Sequence, residues 1–348
     1  MNLFFLEFRD PLFSVIIFFA LIFIITFLSY WWGRYRRKED YKHLDEFLKQ
    51  FRKPPAKDEL SVAVSNGAIP QKIWLLLASS YSKNGDYEKS IEIYNGILKQ
   101  SDNQDQKEIM FLLGKTYFKA GFLERSKQIY LEILKKHPRT PQVLESLLLV
   151  YEYTKDYESA MDVLEPLEEL KQDISGSKIY LRTLTLLNNQ AMVPKEKTQQ
   201  LIEIYKESHQ LSYMIFEYIF RFEPALAWNN FDSSKSQKMT DILWNVKKED
   251  LNLEIIAQNS YLRELYTARG DVEFSQRSEV FEFDTLINLE NKASATLSFE
   301  YICDNCKQIS PFSFYRCTSC HSIDTINIEV SLTKDYRKDF SEENNSFQ

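Results

Sequence analysis

The middle of this chain repeats itself. Three segments align at a period of about 34 residues, and that self-similarity limits the fold more than any other feature. The first segment opens with Trp74, Leu77, Ala78 and Tyr81, turns at Gly85-Asp86-Tyr87, and continues with Ser90, Tyr94 and Ile97. The second has Met110, Leu113, Gly114 and Tyr117, then Gly121 and Leu123, then Ser126, Tyr130, Ile133 and Pro138. The third has Leu144, Leu147, Leu148 and Tyr151, then Lys155-Asp156-Tyr157, then Ala160, Leu164 and Leu167. Spacings of three and four put each opening set on one face of a helix. Ala78 and Gly114 leave room for a second helix to approach, and Gly85 and Gly121 supply the backbone freedom for a tight inter-helix turn. Ser90, Ser126 and Ala160 are small where the second helix crosses the first, and Pro138 ends the second segment.

These positions resemble the tetratricopeptide (TPR) repeat: large, large, small and aromatic in helix A, a turn, then small, aromatic and small in helix B. The resemblance implies stacked helical hairpins with a concave surface for a peptide or protein partner. It is clear over residues 71–170 and divergent over 171–292. Within the divergent part, helical periodicity persists at Ile179, Leu181, Leu184 and Leu187, and again at Leu201, Ile204 and Tyr205. Tyr213 to Phe222 is aromatic-rich and reads as buried. Asn188 to Pro194 and Trp228 to Ser236 read as loops. A last repeat-like unit follows at Leu262, Tyr266, Gly270-Asp271 and Val272, although Glu279 and Glu282 fit its helix B poorly. Only 8 glycines against 20 tyrosines and 25 phenylalanines suit helix packed on helix rather than a glycine-rich nucleotide-binding sheet.

Pro11 to Trp32 is a run of about 22 residues without charge, about 33 Å as a helix and long enough for the hydrocarbon core of a bilayer. Tyr30, Trp31 and Trp32 sit where an aromatic belt is expected, and Arg34, Arg36, Arg37 and Lys38 follow at once. Arg9 alone, beside Glu7 and Asp10, precedes the run. This asymmetry predicts a single-pass helix with residues 1–10 periplasmic and the bulk of the chain cytoplasmic. A cleaved signal peptide would need a basic start, a shorter apolar stretch and a small-residue cleavage site, none of which is present. Residues 33–67 read as a juxtamembrane segment and linker, with Lys53-Pro54-Pro55 stopping any helix. Residues 333–348 read as a disordered tail.

All four cysteines fall in one short stretch: Cys303-Asp304-Asn305-Cys306 and Cys317-Thr318-Ser319-Cys320. Two CxxC pairs at this spacing can point four thiolates at one tetrahedral ion, iron or zinc. Disulfides are disfavoured on the cytoplasmic side of a membrane, and a CxxC redox motif would need a βαβ context that the flanks lack. The flanks read as short strands over Thr296–Tyr301, Phe312–Tyr315 and Ile326–Val330, the layout of a rubredoxin-like or zinc-ribbon knuckle over residues 296–332. His321 reads as a neighbour of the site, since four thiolates already fill the shell. The expected fold is therefore all-α, a TPR-type hairpin solenoid over residues 68–292 with one N-terminal transmembrane helix and a small C-terminal metal knuckle.

No Walker loop, GxGxxG, GxSxG or HExxH occurs, and His43, His137 and His209 are isolated. A four-thiolate site has no open position for a substrate, so the chain reads as a non-enzyme with no catalytic or cofactor-binding residues beyond the metal ligands. A net charge of −7 gives no basic footprint for nucleic acid. Three features in this order resemble the lipopolysaccharide assembly protein B family (LapB, also called YciM). They are the apolar run followed by Ser29 to Lys38 (SYWWGRYRRK), the repeats, and Tyr301 to Ile326 (YICDNCKQISPFSFYRCTSCHSIDTI), with Tyr315 just before the second pair. Lys307 stands where glycine often relieves the turn, Thr318 where proline is common, and Ile323 where tryptophan is usual. The resemblance implies metal-ligand roles for Cys303, Cys306, Cys317 and Cys320. It also implies an inner-membrane adaptor of a Gram-negative bacterium that lets the AAA+ protease FtsH degrade LpxC, the deacetylase committing carbon to lipid A. Other lipopolysaccharide assembly proteins are implied partners, and homodimerisation is left open.

Overall fold

The computed structural model describes residues 21–28, 64, 70–100, 103–290 and 294–334. Of the apolar run expected to span a membrane, residues 21–28 are described. They are helical, with Thr26 Oγ1 donating to the carbonyl of Ile22 at 2.9 Å, so the one polar side chain there is satisfied within the helix. The rest of that run, the juxtamembrane stretch and the residues from 335 onward lie outside the described residues. No helix among the described residues is long and apolar enough to cross a membrane. Contacts divide the chain into two compact units, Met1–Lys155 and Asp156–Gln348.

The first unit is built from α1 (Gln71–Lys83), α2 (Tyr87–Leu98), α3 (Asn103–Lys119), α4 (Leu123–Lys136) and α5 (Pro141–Tyr153). Helices α1, α3 and α5 are each turned at residues that the spacing singled out. Gly85 and Gly121 adopt φ +86° and +80°, a region that a β-carbon penalises. The chain closes each turn identically: Asp86 N–H donates to the Tyr81 carbonyl and Phe122 N–H to the Tyr117 carbonyl, both at 2.9 Å. This is the Schellman closure that satisfies a helix-end carbonyl. Lys155 occupies the same left-handed position in the third turn, at φ 59°. Where the helices cross, Ser90 Oγ donates to the Ala78 carbonyl at 2.8 Å and Ser126 Oγ to the Gly114 carbonyl at 2.9 Å. The small residues thus do more than make room, because the hydroxyl of helix B bonds the backbone of helix A. Val64, within the segment read as a linker, is helical and buried in the same core as Trp74, Ile93 and Tyr94. It seats over Gly96, where a β-carbon would stand 3.0 Å from Val64 Cγ1.

The second unit starts with α6 (Tyr157–Asp162) and α7 (Leu164–Glu169). They are separated at Val163, which keeps helical angles, because Pro166 has no N–H to return to the carbonyl of Asp162. Helices α8 (Ser175–Asn188) and α9 (Pro194–Ser208) follow, then α10 (Ser212–Phe222). Helix α10 is buried through Tyr213, Met214, Ile215, Phe216, Ile219 and Phe220, as its aromatic content predicts. The stretch read as a loop from Trp228 is instead the end of α11 (Pro224–Asn230). Trp228 is buried against Phe220 at 5.1 Å and donates its indole N–H to the Asp250 carbonyl at 2.8 Å. A 3₁₀ turn at Ser233–Met239 leads into α12 (Thr240–Trp244), α13 (Leu253–Gln258), α14 (Ser260–Arg269) and α15 (Phe281–Ile287). Helix α14 ends with the repeat turn intact, Gly270 at φ +87° and Asp271 N–H donating to Tyr266. No helix follows at Val272, and Glu279 lies outside α15 while Glu282 falls in its first turn.

The chain finishes in a three-stranded antiparallel sheet ordered β2-β1-β3, with β1 Ala295–Cys303, β2 Ile309–Ser310 and β3 Ile326–Lys334. Register pairs Cys303 with Ile326 and Ile302 with Ile309. The strand expected over Phe312–Tyr315 is absent. The Ser310 hydroxyl accepts from Phe312 N–H at 3.2 Å and donates to the Phe312 carbonyl at 2.7 Å, which, with Pro311, curls the chain into a turn.

A test of the helix crossing follows from Gly114, where a β-carbon would lie 2.5 Å from Tyr130 Cε1. Gly114→Ala gains up to about 1 kcal/mol of helix propensity but overpacks the crossing by about 1–3 kcal/mol. The expected outcome is a lower melting temperature for the repeats, measured by circular dichroism. A stabilised variant would show that Tyr130 yields freely and that the close approach is not required.

Candidate metal centre

The two CxxC segments fold as copies of one knuckle. Cys303 N–H donates to the Gln308 carbonyl at 3.0 Å, and Lys307 N–H returns to the Cys303 carbonyl at 2.8 Å. Cys317 N–H donates to Ser322 at 2.9 Å, and His321 N–H returns to Cys317 at 2.9 Å. The tight return forces the residue after each knuckle into the left-handed region, Lys307 at φ 59° and His321 at φ 61°. Carrying a side chain there costs about 1–2 kcal/mol. The closure works without glycine, at that cost. Each knuckle is also bracketed by a cross-strand pair, Ile302 with Ile309 and Arg316 with Ile323.

This geometry brings all four predicted ligands together. The Sγ atoms of Cys303, Cys306, Cys317 and Cys320 lie within 4.8 Å of one another, and all four cysteines are free thiols. Cys303 and Cys320 are 3.6 Å apart, as are Cys306 and Cys317. A tetrahedral ion with metal–sulfur bonds of about 2.3 Å needs sulfur separations of about 3.8 Å, so the four thiols fit one ion. Among the described residues the cluster consists of the four cysteines; His321 N–H closes the second knuckle.

The surroundings prepare the sulfurs unequally. Burial alone would raise the Cys303 thiol, but hydrogen bonds from Thr325 Oγ1, at 3.3 Å, and from the Cys306 and Asn305 amides outweigh it and lower the thiol below its usual value. The Ser322 hydroxyl and N–H pull Cys320 down to about 6. Burial pushes Cys317 up to about 12. A bound ion needs four thiolates, so binding displaces at least the Cys317 proton and weakens as pH falls.

The knuckles are fixed to the helices of their own unit by tyrosines next to the cysteines and by acceptors, Asp241 and Glu217, that no sequence motif flagged. Tyr213 of α10 and Tyr301 of β1 both donate to Asp241 Oδ2 of α12, at 2.6 and 2.8 Å. Tyr315 donates to Glu217 of α10, and Asp324 accepts from the backbone N–H of Leu211 at 3.0 Å. Leu211 itself is left-handed at φ 55°. The Arg316 guanidinium stands 4.8 Å over the Tyr180 ring, and Lys238 lies 3.6 Å from Asp304. One regularity was readable in advance: Tyr301 and Tyr315 each stand two residues before the first cysteine of a knuckle. Burial raises Asp241 and Glu217 above the usual carboxylate range, and the tyrosine hydroxyls only partly oppose it.

The family model for the tetratricopeptide repeat matches residues 71–103, the first hairpin of the first unit. No curated protein matches the chain. Among solved structures, BtubC (BKLC) from P. vanneervenii is 16% identical, with 65% of this chain and 97% of that one covered at a TM-score of 0.28. A likeness of that size carries no argument about fold or function. What fold and site define together is a mostly helical TPR-like protein with a small C-terminal sheet that carries a four-cysteine cluster suited to one ion.

Three outcomes are expected. Replacing Cys303 and Cys306 together by serine abolishes metal binding, read by elemental analysis, and melts the sheet; unchanged metal content would refute the ligand assignment. Asp241→Ala strands two tyrosine hydroxyls and destabilises the second unit by about 2–4 kcal/mol. Because Asp241 and Glu217 are raised, the folded state holds more protons than the unfolded state between the ordinary and raised values. Their contribution therefore grows as pH falls from neutral through the raised values, and fades as pH rises. Asp241→Asn should flatten that slope, seen as a wild-type-minus-variant difference in melting temperature across pH; an unchanged difference would contradict the assignment.

Proposed function

We propose that the chain is a membrane-anchored cytoplasmic adaptor whose repeats dock protein clients and whose ion is structural. The four-thiol cluster carries this reading. With every ligand supplied by the protein, a bound ion would cross-link the two knuckles and leave no coordination position for a substrate. Cys303, Cys306, Cys317 and Cys320 would hold it as iron or zinc. The tetratricopeptide match at residues 71–103 supports a protein-interaction surface. The apolar run Pro11–Trp32, with its basic flank, supports anchorage in an inner membrane, N-terminus outside. Anchorage raises the effective concentration of the adaptor near other membrane proteins.

The finer form of the proposal rests on the resemblance to lipopolysaccharide assembly protein B. In it, the chain promotes degradation of LpxC by FtsH and so restrains lipid A synthesis. Depleting the protein should raise LpxC and lipopolysaccharide, measured by immunoblot and by sugar analysis of the envelope. Unchanged LpxC, with crosslinking from solubilised membranes recovering a different partner set, would leave a scaffold for another envelope complex.

A further inference from the structure

The two knuckles are copies in backbone but not in the side chains around their sulfurs. Gln308 and Ser322 hold equivalent places, each accepting through its carbonyl the N–H of the first cysteine of its knuckle. The Ser322 side chain turns toward the cluster, with its hydroxyl 3.3 Å from Cys320 Sγ. The Gln308 side chain turns away and donates its amide to the Ile309 carbonyl at 3.0 Å. Asn305 of the first knuckle reaches across to the second. Its Nδ2 donates to Ser322 Oγ at 2.7 Å and lies 3.6 Å from Cys320 Sγ. The Ser322 oxygen is thereby engaged as an acceptor, and its own proton is left for the sulfur. Thr325 Oγ1 stands 3.3 Å from Cys303 Sγ. Side-chain donors therefore cover one pair of sulfurs, Cys303 and Cys320. The other pair, Cys306 and Cys317, is also 3.6 Å apart and has no hydroxyl or amide side chain bonded to it among the described residues.

In a four-thiolate set, proton affinity no longer sorts the sulfurs. Exposure and hydrogen bonding do. A donor on a thiolate draws off electron density and lowers its nucleophilicity, and oxidation follows thiolate character and access. Cys303 and Cys317 are buried, at 0% and 2% exposure, so a solute in water does not reach them. Cys320 is half-buried and carries the Ser322 hydroxyl. Cys306 is exposed and lacks such cover.

We propose that Cys306 is an oxidative modification site that takes a hydroperoxide, with Cys317 as the thiol that resolves it. The Cys306 thiolate attacks one peroxide oxygen. The S–O bond forms as the O–O bond breaks, and the leaving oxygen takes a proton from water. The Cys317 thiolate, 3.6 Å away, then attacks the sulfenic sulfur, and hydroxide leaves as the S–S bond forms. Two electrons pass from the two sulfurs to one peroxide. Cys306 and Cys317 come one from each knuckle, so their disulfide withdraws a ligand from both and ends tetrahedral binding. Asn305 and Ser322 are the positioning residues that direct attack away from Cys320. The inference rests on the four-cysteine ligand assignment and goes beyond the docking reading.

The experiment uses the full-length chain loaded with zinc, its content checked by elemental analysis. Limiting hydrogen peroxide is added, zinc release is followed with a chromogenic chelator, and the products are mapped by mass spectrometry with dimedone as a sulfenic-acid trap. The expected result is a dimedone adduct on Cys306, a Cys306–Cys317 disulfide without the trap, and zinc release in step with either. Ser322→Ala and Asn305→Ala keep all four ligands and should raise the share of product at Cys320 severalfold; their zinc content and melting curves confirm that they are loaded and folded. First modification at Cys320 or Cys303, an even spread over the cysteines, zinc kept after Cys306 is modified, or an unchanged product pattern in both loaded variants would overturn the proposal. A wild-type chain that takes up no zinc or iron would overturn the metal assignment and this inference with it, whereas the other failures leave that assignment standing.

Discussion

Asp241 is the residue on which the C-terminal architecture turns. A small sheet with two knuckles buries little apolar surface, and a structural ion would supply much of its folding energy. The ion alone, however, would leave the module free of the helices. Asp241 removes that freedom: one buried oxygen accepts from Tyr213 on a helix and from Tyr301 on the strand that leads into Cys303. Tyr315 repeats the arrangement before the second knuckle, with Glu217 as its acceptor. Burying a carboxylate is costly, and its raised proton affinity records that cost. The arrangement is tolerable because charge-assisted bonds offset part of it, and it fixes one geometry in exchange.

The first unit solves its packing by other means. Its hairpins close through small residues, with a serine of helix B bonded to the carbonyl of an alanine or glycine in helix A. These contacts are local and repeated, so a pattern of three and four spacings was enough to locate them in the sequence. The cysteine cluster was legible for a similar reason. Each CxxC is a local turn, and only the meeting of two turns is a distant event.

What the sequence concealed lies between distant residues. Asp241 and Tyr301 are 60 positions apart, and Leu211 and Asp324 are 113 apart. A single acid in α10, Glu217, offers no motif to distinguish it from a solvated one. Trp228 to Ser236 read as a loop because asparagines and serines cluster there, yet the buried indole and the Asp250 carbonyl hold that helix closed. Phe312 to Tyr315 imitated an alternating strand, but the Ser310 hydroxyl turns the chain and frees the Tyr315 side chain to reach Glu217. Val64 was hidden by the prolines before it, which mark the end of one segment without revealing that the next returns to the core.

These hydrogen bonds tie the four-cysteine knuckle to helices α10 and α12 within the second unit, so the three should loosen together. Hydrogen–deuterium exchange, compared between the metal-loaded protein and the same protein after chelation, tests this directly. The account predicts that chelation speeds exchange in Ser212–Phe222 and Thr240–Trp244 together with the three strands. Faster exchange confined to residues 295–334, with both helices unchanged, would contradict it.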